Sequence, residues 1–395
     1  MRIALLTNRF PPMLDGVGDY SRHLAGELQC QGHEVSVICR QEQVIQDAVQ
    51  RGAFNVPVSA TVPAWNWRAI RPLRAFIRQH RPAWLLVQYV PNAFQRWAMP
   101  VWLPLLVWLV KRQGVHIGLT FHEVSIRRQI WPLKYGLVSL MQRVIACILV
   151  RQAKTVVTSI DYYVRQLQTY TSKSVHLIPV GSNIVPISVE KSAITNTRQQ
   201  ITLNGGPIIS TFGIRNQDLL FQSAECLLAS LPTINLLIIG RLTSSAVTRA
   251  YCEKHGQQVH VTGYLPEADV YRHLTATDVF FISDPVTPDG EGGSSNKSTS
   301  LAAGLAAGLP VVGIRGDMNN GLLYNTPGLF LENAADPASI ATRLYTLLLA
   351  DPPMASRQQT KRFFDQHLSW KAIVSQYSDA FGWPQSKQHD YTSTW

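Results

Sequence analysis

Val279-Phe-Phe-Ile-Ser283 runs into Asp284-Pro-Val-Thr-Pro-Asp-Gly-Glu-Gly-Gly-Ser-Ser-Asn-Lys-Ser-Thr-Ser300, and that loop runs into Leu301-Ala-Ala-Gly-Leu-Ala-Ala-Gly308-Leu-Pro310. A short apolar run reads as a buried strand, the middle as a loop, and the Ala/Gly-rich segment as a helix closed by glycine and proline. A strand that feeds a loop and then a helix is the unit of a parallel sheet. The loop has the composition of an anion site. Glycines 290, 292 and 293 let backbone N–H groups come close to a ligand. The helix start favours negative charge, and Lys297 adds a full positive one. Ser298, Thr299 and Ser300 supply hydroxyls. Helix capping by Ser or Thr accounts for one or two of these residues, not for the whole cluster.

The same alternation extends in both directions. Ile3–Thr7, Val35–Cys39, Trp84–Gln88, Ile117–Phe121, Thr155–Ser159 and Val175–Pro179 read as buried strands, with helical stretches such as Asp19–Gln31 and Ile130–Arg151 between them. The pattern restarts at Ile208–Phe212, Asn235–Gly240, Val259–Thr262, Val279–Ser283 and Pro310–Ile314. Two such series predict an α/β chain of two doubly wound, Rossmann-like domains with right-handed crossovers. We place the first at 1–185, a polar linker at 186–204 and the second at 205–369. A ligand is expected between the domains, at the carboxyl ends of the strands.

Composition agrees with this reading. The chain has 395 residues, enough for two cores, and 46% hydrophobic with 15% charged residues excludes a disordered chain. The net charge is +11. Between Lys111 and Lys173 ten Lys and Arg residues face only Glu123 and Asp161, so most of the excess is local. No nucleic-acid motif accompanies it, and we expect no nucleic acid partner. Trp97, Trp102 and Trp108 lie among Arg96, Lys111 and Arg112, and Ile126-Arg-Arg-Gln-Ile-Trp-Pro-Leu-Lys-Tyr135 follows. Aromatic and cationic residues together suit a bilayer interface, so membrane-surface contact through 96–151 is expected. A core role for these tryptophans is the alternative. The apolar window Trp97–Val110 is short for a span and holds two prolines. No signal peptide is expected. The five scattered cysteines read as reduced thiols, mostly buried, in a cytoplasmic protein. No metal ligand set and no cofactor are expected.

Several segments then fall in an order that resembles one family. Asn8-Arg-Phe-Pro-Pro12 leads to Asp15-Gly-Val-Gly-Asp-Tyr20. Gln88-Tyr-Val-Pro91 and Thr120-Phe-His-Glu123 stand at strand ends, and Ile178-Pro-Val-Gly-Ser-Asn183 precedes the linker. Phe212-Gly-Ile-Arg215, Val261-Thr-Gly-Tyr-Leu-Pro266 and Gly308-Leu-Pro-Val-Val312 follow. Over nearly its whole length the chain resembles a GT-B glycosyltransferase of the retaining family 4 group. Typical members carry two glutamates eight positions apart before Gly-x-Pro-Val-Val, and here Ser295 and Ala303 stand in those places. The chain is similar to a variant with a basic residue, Ser/Thr and an Ala/Leu-rich helix instead.

The resemblance implies transfer of a sugar from a nucleoside diphosphate sugar to an acceptor hydroxyl, with retention and without metal. The donor would be held by Gly16, Val17 and Gly18, by Arg215, by Gly263 and Tyr264 beside the base, and by Glu291, Gly292, Gly293, Ser298, Thr299 and Ser300. His122 would contact the sugar and Lys297 the diphosphate, as the two catalytic residues. On position alone, His122 reads more as a hydrogen-bonded structural histidine than as a sugar contact. Asp19, Tyr20, Tyr89 and Glu123 are expected on the acceptor side, and a lipid-linked or polysaccharide precursor is the implied acceptor. A terminal helix near 370–385 would return to the first domain. A nucleotide-sugar epimerase and an inactive nucleotide-sugar-binding scaffold are the alternatives on the same fold. No protein partner is expected, and the implied location is the cytoplasm, peripheral on the membrane.

Overall fold

A computed structural model of the chain describes residues 1–126, 133–202, 205–213, 216–287, 289–350 and 354–384. The chain divides into two units, Met1–Pro179 with Trp370–Trp395, and Val180–Ser369.

The first unit is built on seven strands: β1 (Arg2–Leu6), β2 (Glu34–Arg40), β3 (Val58–Val62), β4 (Trp84–Tyr89), β5 (His116–Phe121), β6 (Thr155–Thr158) and β7 (Val175–Leu177). They pair in parallel in the order β3-β2-β1-β4-β5-β6-β7. The second unit repeats the plan with β8 (Ile208–Phe212), β9 (Asn235–Ile239), β10 (Val259–Val261), β11 (Val279–Phe281), β12 (Val311–Ile314) and β13 (Leu329–Glu332), in the order β10-β9-β8-β11-β12-β13. All its neighbours are parallel too. In each unit the order reverses beside the first strand, between β1 and β4 and between β8 and β11. Loops leaving those strands are splayed apart there, which opens a crevice for ligand.

The sequence reading lacked β3 and β13. Both are edge strands. Val58-Ser-Ala-Thr-Val62 is only partly buried and carries hydroxyls, and Leu329–Glu332 is half-buried for three of its four residues. Central strands such as Trp84–Tyr89 are buried throughout and read as apolar runs. The stretch read as a polar linker also holds structure, a helix over Lys191–Ile201. Arg198 clamps it with both guanidinium nitrogens on Asp278, at 3.0 and 2.7 Å. Asp278 Oδ2 in turn accepts from the amide of Ile208 at 2.8 Å. Ile201 is buried with Ile208 and Leu274. The helix's hydrophobic stripe is three residues wide, too thin to stand out among polar neighbours.

All five cysteines are unpaired. Cys39 is buried and its thiol is pushed up to about 12, first by burial and then by Glu42. Cys30 and Cys226 are exposed, which corrects the expectation of mostly buried thiols.

Candidate active site

In the second unit, β11 leads to the loop 282–298 and then to a helix over Thr299–Ala306, here α2; the helix that follows β1 in the first unit, Gly16–Cys30, is α1. The loop stands beside the point of strand reversal. Its glycines do a different job from the one expected. The amide of Gly290 donates to Thr287 O, Glu291 to Thr287 Oγ1, Gly292 to Asp317 Oδ1, Gly293 to Pro285 O and Ser294 to Ile314 O, all at 2.9–3.0 Å. Asp317 and Met318 donate back to the carbonyls of Gly290 and Gly292. A Cβ on Gly292 would meet Pro285 O, and one on Gly293 would meet Gly316 N at 2.6 Å. These glycines let two backbone segments interlock. Gly292 and Gly293 therefore have no backbone N–H to offer a phosphate, which corrects their assignment as amide donors to it.

The candidate anion site narrows to the start of α2. Ser298 is the N-cap, and its hydroxyl accepts from Leu301 N at 3.2 Å. Its own amide donates to Ser295 O and Ala302 donates to Ser298 O. The amides of Thr299 and Ser300 are the ones that a helix of this kind leaves for an outside acceptor. Lys297 is half-buried immediately before the cap. Ahead of it, Asn296 is 3% exposed and donates through Nδ2 to Asn320 Oδ1 at 2.7 Å. Asn320 Oδ1 also accepts from Leu323 N, which fixes both amide orientations. Asn296 O accepts from Val180 N at 2.8 Å, which ties the start of the second unit to this loop.

Comparison of α1 with α2 shows why one helix start suits a phosphate and the other does not. The N-cap of α1 is Asp15, whose Oδ1 accepts from Val17 N and Gly18 N, each at 2.9 Å. A carboxylate already occupies that positive end. Gly18 is glycine because a Cβ would lie 2.9 Å from Arg9 O, whereas Gly16 has open space above it. The amides of Val17 and Gly18 are thus spent on Asp15, which corrects their assignment as phosphate donors. The cap of α2 is a neutral hydroxyl, so its end keeps its charge.

Around α2, further strand ends converge. Gly213 follows β8 at φ 97°, and a Cβ there would lie 3.4 Å from Ser300 Oγ. Gly240 follows β9 at φ 127° against the Gly213 backbone, and its amide donates to Thr262 Oγ1 at 3.2 Å. Gly263 follows β10 at φ 67°, and Tyr264 next to it is 79% exposed. Gly240 and Thr262 were missed as site residues. The signal was present, since each of these strands is followed within two residues by a glycine. Arg215 lies outside the described residues. Ser295 is 4% exposed, and Ala303, at the second glutamate position, is fully buried in the core.

In the first unit, Gly118, Thr120 and His122 alternate onto one face of β5 and its extension. Gln88 on β4 is the register partner of Thr120 and shares that face. His122 Nε2 lies 2.8 Å from Gln88 Oε1, and its amide donates to Tyr89 O at 3.0 Å. Tyr20 sets its ring edge-on to the His122 ring at 4.9 Å. Tyr20 is 2% exposed and its hydroxyl is 2.9 Å from that of Tyr377. Burial, then the neighbouring Tyr377, pushes its phenol well up. Tyr89 is fully buried on the opposite face, edge-on to Phe121 at 4.9 Å. Neither tyrosine reaches an acceptor surface, which corrects both assignments; strand alternation and helix packing turn them inward. Asp19, in the first turn of α1, and Glu123, next to His122 in the loop after β5, are both half-buried. Among the described residues no three of His, Cys, Asp and Glu gather as metal ligands would.

Two family models match side by side, a glycosyl transferase 4-like domain over residues 15–181 and a glycosyl transferases group 1 domain over residues 207–350. No curated protein matches in sequence. Among solved structures, sucrose-phosphate synthase from Thermosynechococcus elongatus is 15% identical with a TM-score of 0.65, covering 96% of this chain and 98% of its own. HepE of Anabaena, solved with UDP-glucose, is 14% identical with a TM-score of 0.66, covering 97% and 99%. UDP-GlcNAc 2-epimerase from Neisseria meningitidis, solved with UDP-GlcNAc, is 11% identical with a TM-score of 0.57, covering 96% and 99%. Identities this low speak for the fold. The paired domain models speak for the family, and the chain belongs to the group 1 glycosyltransferases, enzymes of two Rossmann-like units of the GT-B type.

Proposed function

We propose that the chain transfers a glycosyl unit from a nucleoside diphosphate sugar to an acceptor hydroxyl on a lipid-linked or polysaccharide precursor, with retention and without a metal. The observation that carries this is the start of α2: a neutral cap at Ser298, the amides of Thr299 and Ser300, and Lys297 beside them. Those groups match a leaving diphosphate, whose developing charge needs fixed donors. Gly213 keeps the space beside Ser300 free of a side chain. HepE, solved with UDP-glucose, has the same fold and supports a nucleotide-sugar donor.

The test is a calorimetric screen of UDP-, GDP-, ADP- and dTDP-sugars. One of them is expected to bind, and Lys297→Ala is expected to weaken it about tenfold to a hundredfold, the worth of a charged hydrogen bond. Binding by none of the four, or unchanged affinity in the variant, would remove the diphosphate from this site. Incubation of the bound donor without acceptor, followed by NMR, separates the reading from an epimerase: an epimerised sugar still attached to its nucleotide excludes transfer.

The same proposal includes contact with an anionic membrane surface. The helix Leu133–Gln152 is apolar on two sides. Ile145, Ala146, Leu149 and Val150 are buried, while Leu137, Leu140, Val144 and Ile148 are 40–61% exposed at helical spacing. It carries no acid, and Lys134, Arg143 and Arg151 supply cations. Trp97 and Trp108 are exposed nearby in sequence, each under an arginine, Arg96 at 5.6 Å and Arg112 at 4.8 Å. Trp102 instead is 2% exposed and bonds Phe94 O, so the core reading holds for that one tryptophan. Arg127, Arg128, Ile130 and Trp131 lie outside the described residues. No helix among the described residues is long and apolar enough to cross a membrane. Co-sedimentation with phosphatidylglycerol vesicles is expected to fall about tenfold in Leu140→Glu/Val144→Glu, since each glutamate sets a charge where apolar contact and anionic headgroups would be. Equal binding by the variant would refute the surface.

A further inference from the structure

We infer that Tyr377, on the terminal helix, is a positioning residue for His122. This rests on the reading of His122 as a sugar contact. The helix over Trp370–Phe381, here α3, lies some 250 residues after β5 yet packs on the face of the sheet that carries His122. Its residues follow the strand in register. Phe381 sits over Gly118, where a Cβ would strike its ring. Tyr377 sits over Thr120, with its hydroxyl 2.8 Å from Oγ1. Trp370 sets its ring edge-on to Tyr20 at 5.0 Å, and Tyr20 sets its own edge-on to His122 at 4.9 Å.

The three hydroxyls of Thr120, Tyr377 and Tyr20 form one buried chain on the face that also carries Gln88 and His122. Tyr377 is fully buried and Tyr20 nearly so. Packing alone does not call for hydroxyls. Phenylalanine and valine would fill the same volume, and a buried hydroxyl is favourable only when it is bonded. What the hydroxyls add is direction. Tyr377 takes the free rotation and tilt from the Tyr20 ring, and that ring is one wall of the His122 site. Gln88, 0% exposed, is the other wall. Tyr377→Phe leaves the Tyr20 and Thr120 hydroxyls without their common partner in a dry layer. Tyr20 then turns to find another, and the wall moves.

The experiment uses the full chain. The ring 15N and 1H signals of His122 are assigned by comparison with His122→Ala, without ligand. Tyr377→Phe is expected to shift them, whereas Tyr251→Phe, a buried tyrosine of the other unit, is expected to leave them in place. With the nucleotide-sugar found in the donor screen, Tyr377→Phe is expected to lower kcat about tenfold, as misplacement of a contact group does, with donor KM changed less than about twofold. If Tyr377→Phe does not fold, Thr120→Val cuts the same chain at its other end and carries the same expectation. Unshifted His122 signals in a folded variant would overturn the inference. A normal kcat in His122→Ala would instead overturn the role of His122, while the ring signals still report whether Tyr377 holds it.

Discussion

A chain ending at Ser369 should fail to fold its first unit, although the cut leaves all seven strands of that unit in place. The missing helix α3 and the residues after it bury Ile373, Val374, Tyr377, Phe381 and Trp383. Fully burying one such side chain contributes about 1.5–3 kcal/mol, so the loss is on the order of 10 kcal/mol. A whole domain is stable by about 5–15 kcal/mol, so the loss is comparable with everything the unit has. Local detail points the same way. Gly118 lacks a side chain because Phe381 fills that place, and Trp84 makes T-shaped ring contacts with Phe381 and Trp383 at 5.0 and 5.7 Å. Without the helix, Trp84, Leu86 and Thr120 open to water together. Circular dichroism and proteolysis read the result. A chain ending at Ser369 should be cleaved throughout residues 1–179, and if it melts within about 2 °C of the full chain, the helix is an ornament on a self-sufficient unit.

His122→Ala should lower turnover about a hundredfold, the scale on which removing an aligned contact group acts. Donor affinity should change much less, because the groups proposed for the diphosphate belong to α2 in the other unit. The fold should survive, since His122 is half-buried and its hydrogen bond to Gln88 lies at the end of a strand. Steady-state kinetics with calorimetry measures both quantities. Turnover equal to that of the unaltered chain would return His122 to the structural histidine that its position alone allows.

The parallel sheets were readable because central strands are buried on both faces and appear as unbroken apolar runs. The edge strands β3 and β13 were not, because an edge is half wet and its residues are mixed. The helix over Lys191–Ile201 was hidden for a related reason: an ion pair holds it, Arg198 to Asp278, eighty positions apart, and no local pattern announces such a pair. Site residues divide in the same manner. The cap at Ser298, just before Thr299 and Ser300, was legible because capping is a local matter of two or three residues. The duties of Gly292, Gly293, Val17 and Gly18 could not. Whether an amide is free depends on which distant carbonyl or carboxylate reaches it first, and Asp317 and Asp15 do. Tyr20 and Tyr89 have the composition of a binding surface, but packing turns both inward.

By itself the sequence determined the class of this protein: two α/β units, each strand run with its helix, and a polar, lysine-bearing loop ahead of an Ala/Gly-rich helix. Those features come from hydrophobic period, glycine and proline positions and capping residues, all of which act within a few neighbours along the chain. The tertiary structure decided which helix start keeps an uncommitted positive end, which glycines face a ligand and which face backbone, and what surrounds His122. Each of these turns on groups far apart in sequence that compete for the same hydrogen bond or the same volume, and only the folded chain settles that competition.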